Sequence, residues 1–379
     1  MFRLIRNAHV YAPADLGVKD ILIAGNRIEA IGDHIDFPWP DTQITEAQGR
    51  IVMPGLIDGH AHIIGGGGED GFASLIRELQ MTDCIRYGVT SVVGLLGTDH
   101  HAKHPETLVA RTKALREQGI SAWCLTGSYT YPSVTITGNA GRDVAMIEEI
   151  IGVKIAVSDH RSSAVTKEEL ARLATQVRTA GLLAKKAGIV HMHMGRGKDG
   201  LRKVMEICEE TDIPITQFRP THCGNLMDTA IPFAKAGGYI DFTAGEKTPG
   251  LIAQALQEVP AERITMSSDA NGSFPVWNEK KEIIGMGVGK METLYANVRR
   301  MVNEYGISFA QAISFLTVNP AKALKLKGKG VIEAGADADL VMLNEDGEID
   351  TVFALGQIMM QGKQIIAKNY YDYQSSRRN

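Results

Sequence analysis

The chain is expected to be an α/β protein: a (β/α)8 TIM-like barrel with a small β-sandwich domain formed from both chain ends. Three observations lead there. Eight apolar, strand-like runs separated by amphipathic segments fill the middle of the 379-residue chain. Alternating β and α units imply a parallel sheet, and eight of them suggest closure into a barrel. Short strand-like runs punctuated by glycine occupy the two ends, and neither end is large enough to fold alone. Unusual polar residues fall at the carboxyl ends of the middle strands, where such barrels carry their functional groups.

At the amino end, Leu4–Tyr11, Asp20–Ala24 and Arg27–Ile31 read as strands, with Gly25-Asn26 as a hairpin turn. At the other end Asp339–Leu343, Thr351–Leu355 and Gln357–Met360 are strand-like, punctuated by Gly335, Gly356 and Gly362. Pairing the two ends gives a β domain from 1–52 plus 328–379 and leaves 53–327 for the barrel. The barrel candidates are Ile51–Gly59, Thr90–Leu96, Ala122–Gly127, Ile151–Val157, Ile189–His193, Ile215–Thr221, Tyr239–Thr243 and Ile264–Ser268. Between them, Thr166-Lys-Glu-Glu169 is a capping box that opens a long helix. Met291, Leu294, Val298, Met301 and Val302 follow helical spacing, and Ser308 opens another helix. No Gly-x-Gly-x-x-Gly turn follows the first strand; Gly65–Gly68 is a run of a different kind.

Composition excludes several classes. Apolar residues make up 44% of the chain, charged residues 22%, and the net charge is −4. There is no basic field to recruit nucleic acid or anionic membrane. No apolar run approaches the roughly 18–20 residues of a membrane span. The amino terminus lacks a signal-like apolar core, so a cytoplasmic setting is the expectation. Cys84, Cys124, Cys208 and Cys223 are scattered and read as buried free thiols.

The strand ends carry the chemistry. The first strand runs into His60-Ala-His62. Residues i and i+2 of a strand share a face, so two imidazoles there are a natural ligand pair for a zinc-type ion. Lys154 lies inside the apolar fourth strand, the fifth ends in His191-Met-His193, the sixth in His222 and the eighth in Asp269. Taken singly, the histidines could be core residues, Lys154 an edge lysine and Asp269 a helix cap. Their coincidence at successive strand ends favours one metal site. A buried lysine carries a severe desolvation cost unless neutralised. Carboxylation by CO2 would make it an anionic donor able to bridge two cations.

This pattern resembles the amidohydrolase superfamily in its binuclear, carboxylated-lysine form. Five segments narrow the likeness to the isoaspartyl dipeptidase family: His60-Ala-His-Ile-Ile-Gly-Gly-Gly-Gly-Glu69, Val92–Asp99, Leu125–Tyr129, Ser158–Ser162 and Ser267–Ser273. The resemblance implies a metallopeptidase with two Zn2+ ions bridged by carboxylated Lys154 and hydroxide. His60 and His62 would bind one ion, His193 and His222 the other, and Asp269 would join the first. Spacing alone leaves His191 and His193 both open; the family's His-x-Gly favours His193. Asp269 would act as general base and then acid, and Tyr129 would assist at the scissile carbonyl. Glu69 would meet the substrate α-ammonium, Arg161 and Ser273 a carboxylate, and Gly67 and Thr98 would line the pocket. The implied partner is a small β-aspartyl dipeptide, and the implied assembly a homo-oligomer. One position departs from the pattern: Asn225 stands where the family has an arginine, and an amide cannot replace a guanidinium fork at a carboxylate.

His100, His101 and His104 read as a solvated loop, and Cys223 as a structural thiol turned away from His222. Two other functions compete. A hydantoinase or dihydropyrimidinase-like hydrolase would use the same metal core, but a neutral ring needs neither Glu69 nor Arg161. A non-catalytic assembly protein on the same scaffold would be expected to lose ligands, and all six are present.

Overall fold

The computed structural model describes residues 1–278 and 283–368. Residues 369–379 of the expected end domain lie outside the described residues.

The parallel strands are β1 (Leu56–Ala61), β2 (Val89–Gly94), β3 (Ser121–Gly127), β4 (Ile150–Val157), β5 (Ile189–Met194), β6 (Phe218–Thr221), β7 (Ile240–Thr243) and β8 (Ile264–Ser267). β1 to β6 form one six-stranded sheet in sequence order, while β7 and β8 form a separate two-stranded parallel pair. The hydrogen-bond ladder therefore breaks twice. Between β8 and β1, the carbonyls of Phe315 and Leu316 accept from Met266 and Ile57, so a helix end substitutes for strand pairing at that level. Beyond it the chain returns to β1: Asp269 N–H donates to the His60 carbonyl at 3.1 Å, and His62 N–H to that of Ala270 at 2.8 Å. Between β6 and β7, side chains make the link, with the Thr221 hydroxyl on Asp241 at 2.8 Å.

The first expected strand, Ile51–Gly59, is two strands. Ile51–Pro54 belongs to the end domain and β1 to the parallel sheet. Pro54 lacks an N–H, and Gly55 sits so close to Thr90 that a Cβ would lie 2.2 Å from its Oγ1. The chain changes sheets at that point. The amino half of the expected sixth strand is a 3-10 turn, Ile215–Gln217, after Pro214.

The chain ends meet in one nine-stranded sheet rather than two hydrogen-bonded ones. Its order runs Gln364–Ile365, Gln357–Gln361, Ile349–Ala354, Leu340–Leu343, Ile51–Pro54, Phe2–Tyr11, Asp15–Ala24 and Arg27–Gly32. The ten-residue strand Phe2–Tyr11 divides its length, pairing with Gln43–Glu46 near its start and with Ile51–Val52 near its end, which keeps the sheet continuous. Ile5, Val10, Ile21, Ile23, Ile28, Val52, Leu340 and Phe353 pack its own core.

Helices cover the parallel strands. Lys167–Ala184 starts at Thr166, whose side chain accepts from Glu169 N while Glu169 accepts in return, as its capping box predicts. Glu292–Tyr305 buries Leu294, Val298 and Met301 at helical spacing. Cys84, Cys124 and Cys223 are buried free thiols and Cys208 is half-buried. Among the described residues no helix is long and apolar enough to cross a membrane.

Candidate active site

The strand ends converge as the spacing predicts. His60, at 1% exposure, ends β1 with its Nε2 3.2 Å from Asp269 Oδ1. His62 Nε2 lies 3.3 Å from the same oxygen. His60, His222 and Asp269 each offer a ligand atom, all within 4.8 Å of one another. The His193 and His222 rings stand 4.5 Å apart between centroids. Lys154 is fully buried, with Nζ 3.5 Å from His60 Nε2. His191 turns to the same interior, but its Nε2 meets His60 Nδ1 at 2.8 Å.

Backbone strain marks the same places. His222, Asp269, Asn271 and Ser158 all have φ between 54° and 61°, the left-handed region that side chains usually avoid. The His62 ring is boxed by glycines. A Cβ at Gly66, Gly97 or Gly272 would fall 2.9 Å from one of its ring atoms. The four-glycine run lies against residues 74–77: a Cβ on Gly65 would meet the Ile76 carbonyl at 2.0 Å.

Electrostatics suit a cation. Burial, reinforced by Lys154, holds the His60 imidazole well below its ordinary value, and burial does the same to His193. Neutral imidazoles are ligands; imidazolium ions are not. Burial alone would raise Asp269, yet the His60 and His62 imidazoles beside it hold its carboxyl well below the usual range. Burial pulls the Lys154 ammonium down to about 7. His62 Nδ1 and His222 Nε2 are buried without a hydrogen-bond partner among the described residues. An anionic carboxylate among neutral, underused imidazoles is a donor set that a divalent metal ion fits.

Beside this cluster opens a cavity of about 1110 Å3, lined by Gly67, Glu69, Thr98, Tyr129 and Arg161 among others. Glu69 and Arg161 form an ion pair across it. Thr98 Oγ1 donates to Glu69 at 3.3 Å. Tyr129 OH lies 2.6 Å from His193 Nδ1, with the Arg161 guanidinium 5.2 Å above its ring. Burial holds the phenol well above its ordinary value, so it is a donor at neutral pH. Ser273 is not part of the cavity lining; it opens the hairpin of Ser273–Trp277 with Ile283–Val288.

Some residues escaped the sequence reading. Asp159 accepts from Arg161 N at 2.7 Å and Nη2 at 2.9 Å, and meets His193 Nε2 at 3.1 Å. The Ser-Asp-His-Arg segment contained it, but nothing in that string shows that it reaches a histidine on the next strand. Asp58 accepts from the backbone N–H groups of His60 and Ser268 at 3.2 and 3.1 Å, tying β1 to the end of β8. Burial raises its carboxyl to about 7 against the Ser268 hydrogen bonds. Arg196 places Nη2 3.5 Å from Asn225 Oδ1, with no acidic partner among the described residues, so a guanidinium stands beside the position where the family pattern carries one. His100 and His101 line the cavity instead of forming a purely solvated loop, because the turn after β2 folds over its mouth.

The chain matches the amidohydrolase family over residues 51–238 and 247–359. A dihydroorotase of Lactobacillus gasseri is 24% identical over 401 residues, covering 91% of this chain and 89% of that protein. A dihydropyrimidinase from Brevibacillus agri shares the fold at 18% identity with a TM-score of 0.63, over 97% of this chain and 96% of that one. A β-aspartyl dipeptidase from the keratin-degrading thermophile Fervidobacterium islandicum AW-1, solved in complex with a β-Asp-Leu dipeptide, is much more alike. It is 38% identical with a TM-score of 0.92, over 98% of this chain and 100% of that one. A family match across most of the sequence and a full-length likeness of that order lead to one conclusion: the chain belongs to the amidohydrolase family, in the group of the β-aspartyl dipeptidases.

Proposed function

We propose that the protein is a binuclear zinc hydrolase that cleaves β-aspartyl dipeptides. The observation that carries this reading is the Glu69–Arg161 ion pair on a cavity wall beside the imidazole and carboxylate cluster. A β-aspartyl dipeptide brings a free α-ammonium and a free α-carboxylate next to its scissile amide. Those two charges can exchange with the two halves of the pair, whereas a neutral ring cannot. The F. islandicum relative holds such a dipeptide.

His60, His62 and Asp269 would hold one ion, and His193 and His222 the other. Lys154, as a carbamate formed from its neutral amine and CO2 with release of a proton, would join both. The ions would supply Lewis acidity toward the carbonyl and lower the pKa of water. Asp269 takes the proton of the attacking water and returns it to the departing amine. Tyr129 donates to the carbonyl oxygen as negative charge develops. Glu69 receives the ammonium, Arg161 and Ser273 a carboxylate, and Gly67 and Thr98 shape the wall. Asp159 holds Arg161 and His193 in place for this.

The same reading takes the eight parallel strands as one closed (β/α)8 barrel within 53–327, entered after Pro54, with 1–52 and 328–379 as the second domain. It includes a cytoplasmic homo-oligomer, for which the exposed Leu182 and Leu183 offer apolar surface. The test is a zinc assay paired with turnover of β-Asp-Leu, α-Asp-Leu, hydantoin and dihydrouracil. Turnover confined to the β-linked peptide is expected. Preference for a cyclic amide, or a protein that retains no zinc, would sink the proposal.

A further inference from the structure

Spacing alone leaves His191 and His193 both open, the family's His-x-Gly favours His193, and the two side chains have different surroundings in the structure. His193 faces Tyr129 and Asp159, while His191 faces His60. It is fully buried, and its Nε2 lies 2.8 Å from Nδ1 of His60, with ring centroids 5.0 Å apart. We propose that His191 is a positioning residue: it takes the Nδ1 proton of His60 in a hydrogen bond and so turns the His60 Nε2 lone pair toward the cation site.

Two neutral imidazole nitrogens at that distance form a hydrogen bond only if one donates and the other accepts. His191 lies in register between Lys154 on β4 and Arg219 on β6, both fully buried. The Arg219 charge is met by Asp241, with Nη2 3.7 Å from Oδ1. Neither register neighbour is a carboxylate, so a buried imidazolium there would lack a counter-charge in that row, and His191 is neutral. The other face of His60 decides the direction. Its Nε2 points at Asp269 Oδ1 and Lys154 Nζ. To bind a cation there, that nitrogen must be free of its proton, which then resides on Nδ1. The bond therefore runs from His60 Nδ1–H to His191 Nε2, and the proton of His191 sits on its own Nδ1. That nitrogen has no hydrogen-bond partner in the structure. A ligating histidine whose second nitrogen is held this way has a fixed tautomer and a fixed ring plane. Here a second imidazole, brought from β5 to meet the β1 ring although three strands lie between them in the sheet, does what a carboxylate or backbone carbonyl commonly does.

The inference rests on the proposed function only in taking His60 as a metal ligand. It is tested on the full-length protein by zinc competition against a chromophoric chelator and by nitrogen NMR of 15N-histidine-labelled protein. His191→Leu, which cannot accept, should lose about 10- to 100-fold in affinity for one of two zinc ions, while His191→Gln, whose side-chain oxygen can accept, should stay within a few-fold of wild type. In zinc-loaded wild type, His60 should carry its proton on Nδ1. Unchanged zinc affinity in folded His191→Leu would overturn the proposal, and so would a proton on Nε2 of His60. If His191→Leu does not fold, the glutamine variant and the wild-type spectrum still decide. Zinc binding without dipeptide cleavage would sink the functional reading and leave this one standing; a wild type that binds no zinc would sink both.

Discussion

Asp269 combines three properties seldom found together. It sits in the left-handed region at φ 54°, it shares one oxygen between two histidines, and its carboxyl stays ionised although burial opposes it. On the proposed mechanism a carboxylate so placed is poised for the proton of the attacking water. Asp269→Asn keeps the size and can keep the backbone, since asparagine tolerates that region. It should therefore lose at least about 100-fold in kcat, the lower end of what general acid–base groups contribute, with an unchanged circular dichroism spectrum. Turnover near that of wild type would remove the acid–base role. His60, Lys154 and His193 were legible because strand alternation fixes which way each points once the strand is recognised, whereas His62, His222 and Asp269 lie just past their strands and were legible only as polar residues at strand ends. Asp159 and Arg196 were not. Their importance lies in a neighbour on the next strand, and a one-dimensional string holds no cross-strand distance. His191 was legible as an inward residue and illegible as a partner of His60, for the same reason.

At the scale of elements, strands carry His60, Lys154 and His193, and the turns just past them set the angles of His62, His222 and Asp269. The turn after β8 illustrates this: a Cβ at Gly272 would stand 2.6 Å from Asp269 Oδ1 and 2.9 Å from His62 Cδ2. Gly272→Ala must shift one of these groups, and small displacements at a reacting centre are costly in rate. Thr166→Ala removes a cap far from the cluster and should cost about 1 kcal/mol of stability. The pair should separate cleanly, with the glycine variant failing in kcat at near-normal denaturation midpoint and the threonine variant doing the reverse. Equal kcat in the two variants would show that the turn does not hold the ligand geometry. The long helices and the alternating sheet were readable because period and caps are local. The 3-10 turn at Ile215–Gln217 and the split at Pro54-Gly55 were not, since an apolar run looks the same whether it serves one sheet or two.

For the molecule as a whole, the buried lysine links protonation to stability. Lys154 falls from 10.5 to about 7 because burial disfavours its charge. Between those values the unfolded chain holds a proton that the cation-free folded protein does not. Unfolding free energy should therefore rise with pH from about 7 to 10.5. Metal-free, unmodified protein is the sample for this measurement, and Lys154→Met should lack that rise. Superimposable stability curves for the two proteins would argue that Lys154 is solvated. The joining of both chain ends in one sheet was readable from their composition and size. The breaks in the parallel ladder were not, because they depend on where Phe315 and Leu316 come to rest.

The strand Ile51–Pro54 hydrogen-bonds on one side to Phe2–Tyr11 and on the other to Leu340–Leu343, and only Gly55 separates it from the segment bearing His60 and His62. During synthesis the second of those flanking partners is made long after the first. The segment bearing His60 and His62 is thus anchored on both sides only once Leu340–Leu343 has been added, so a chain cut short before Leu340 would lack one wall of its own foundation.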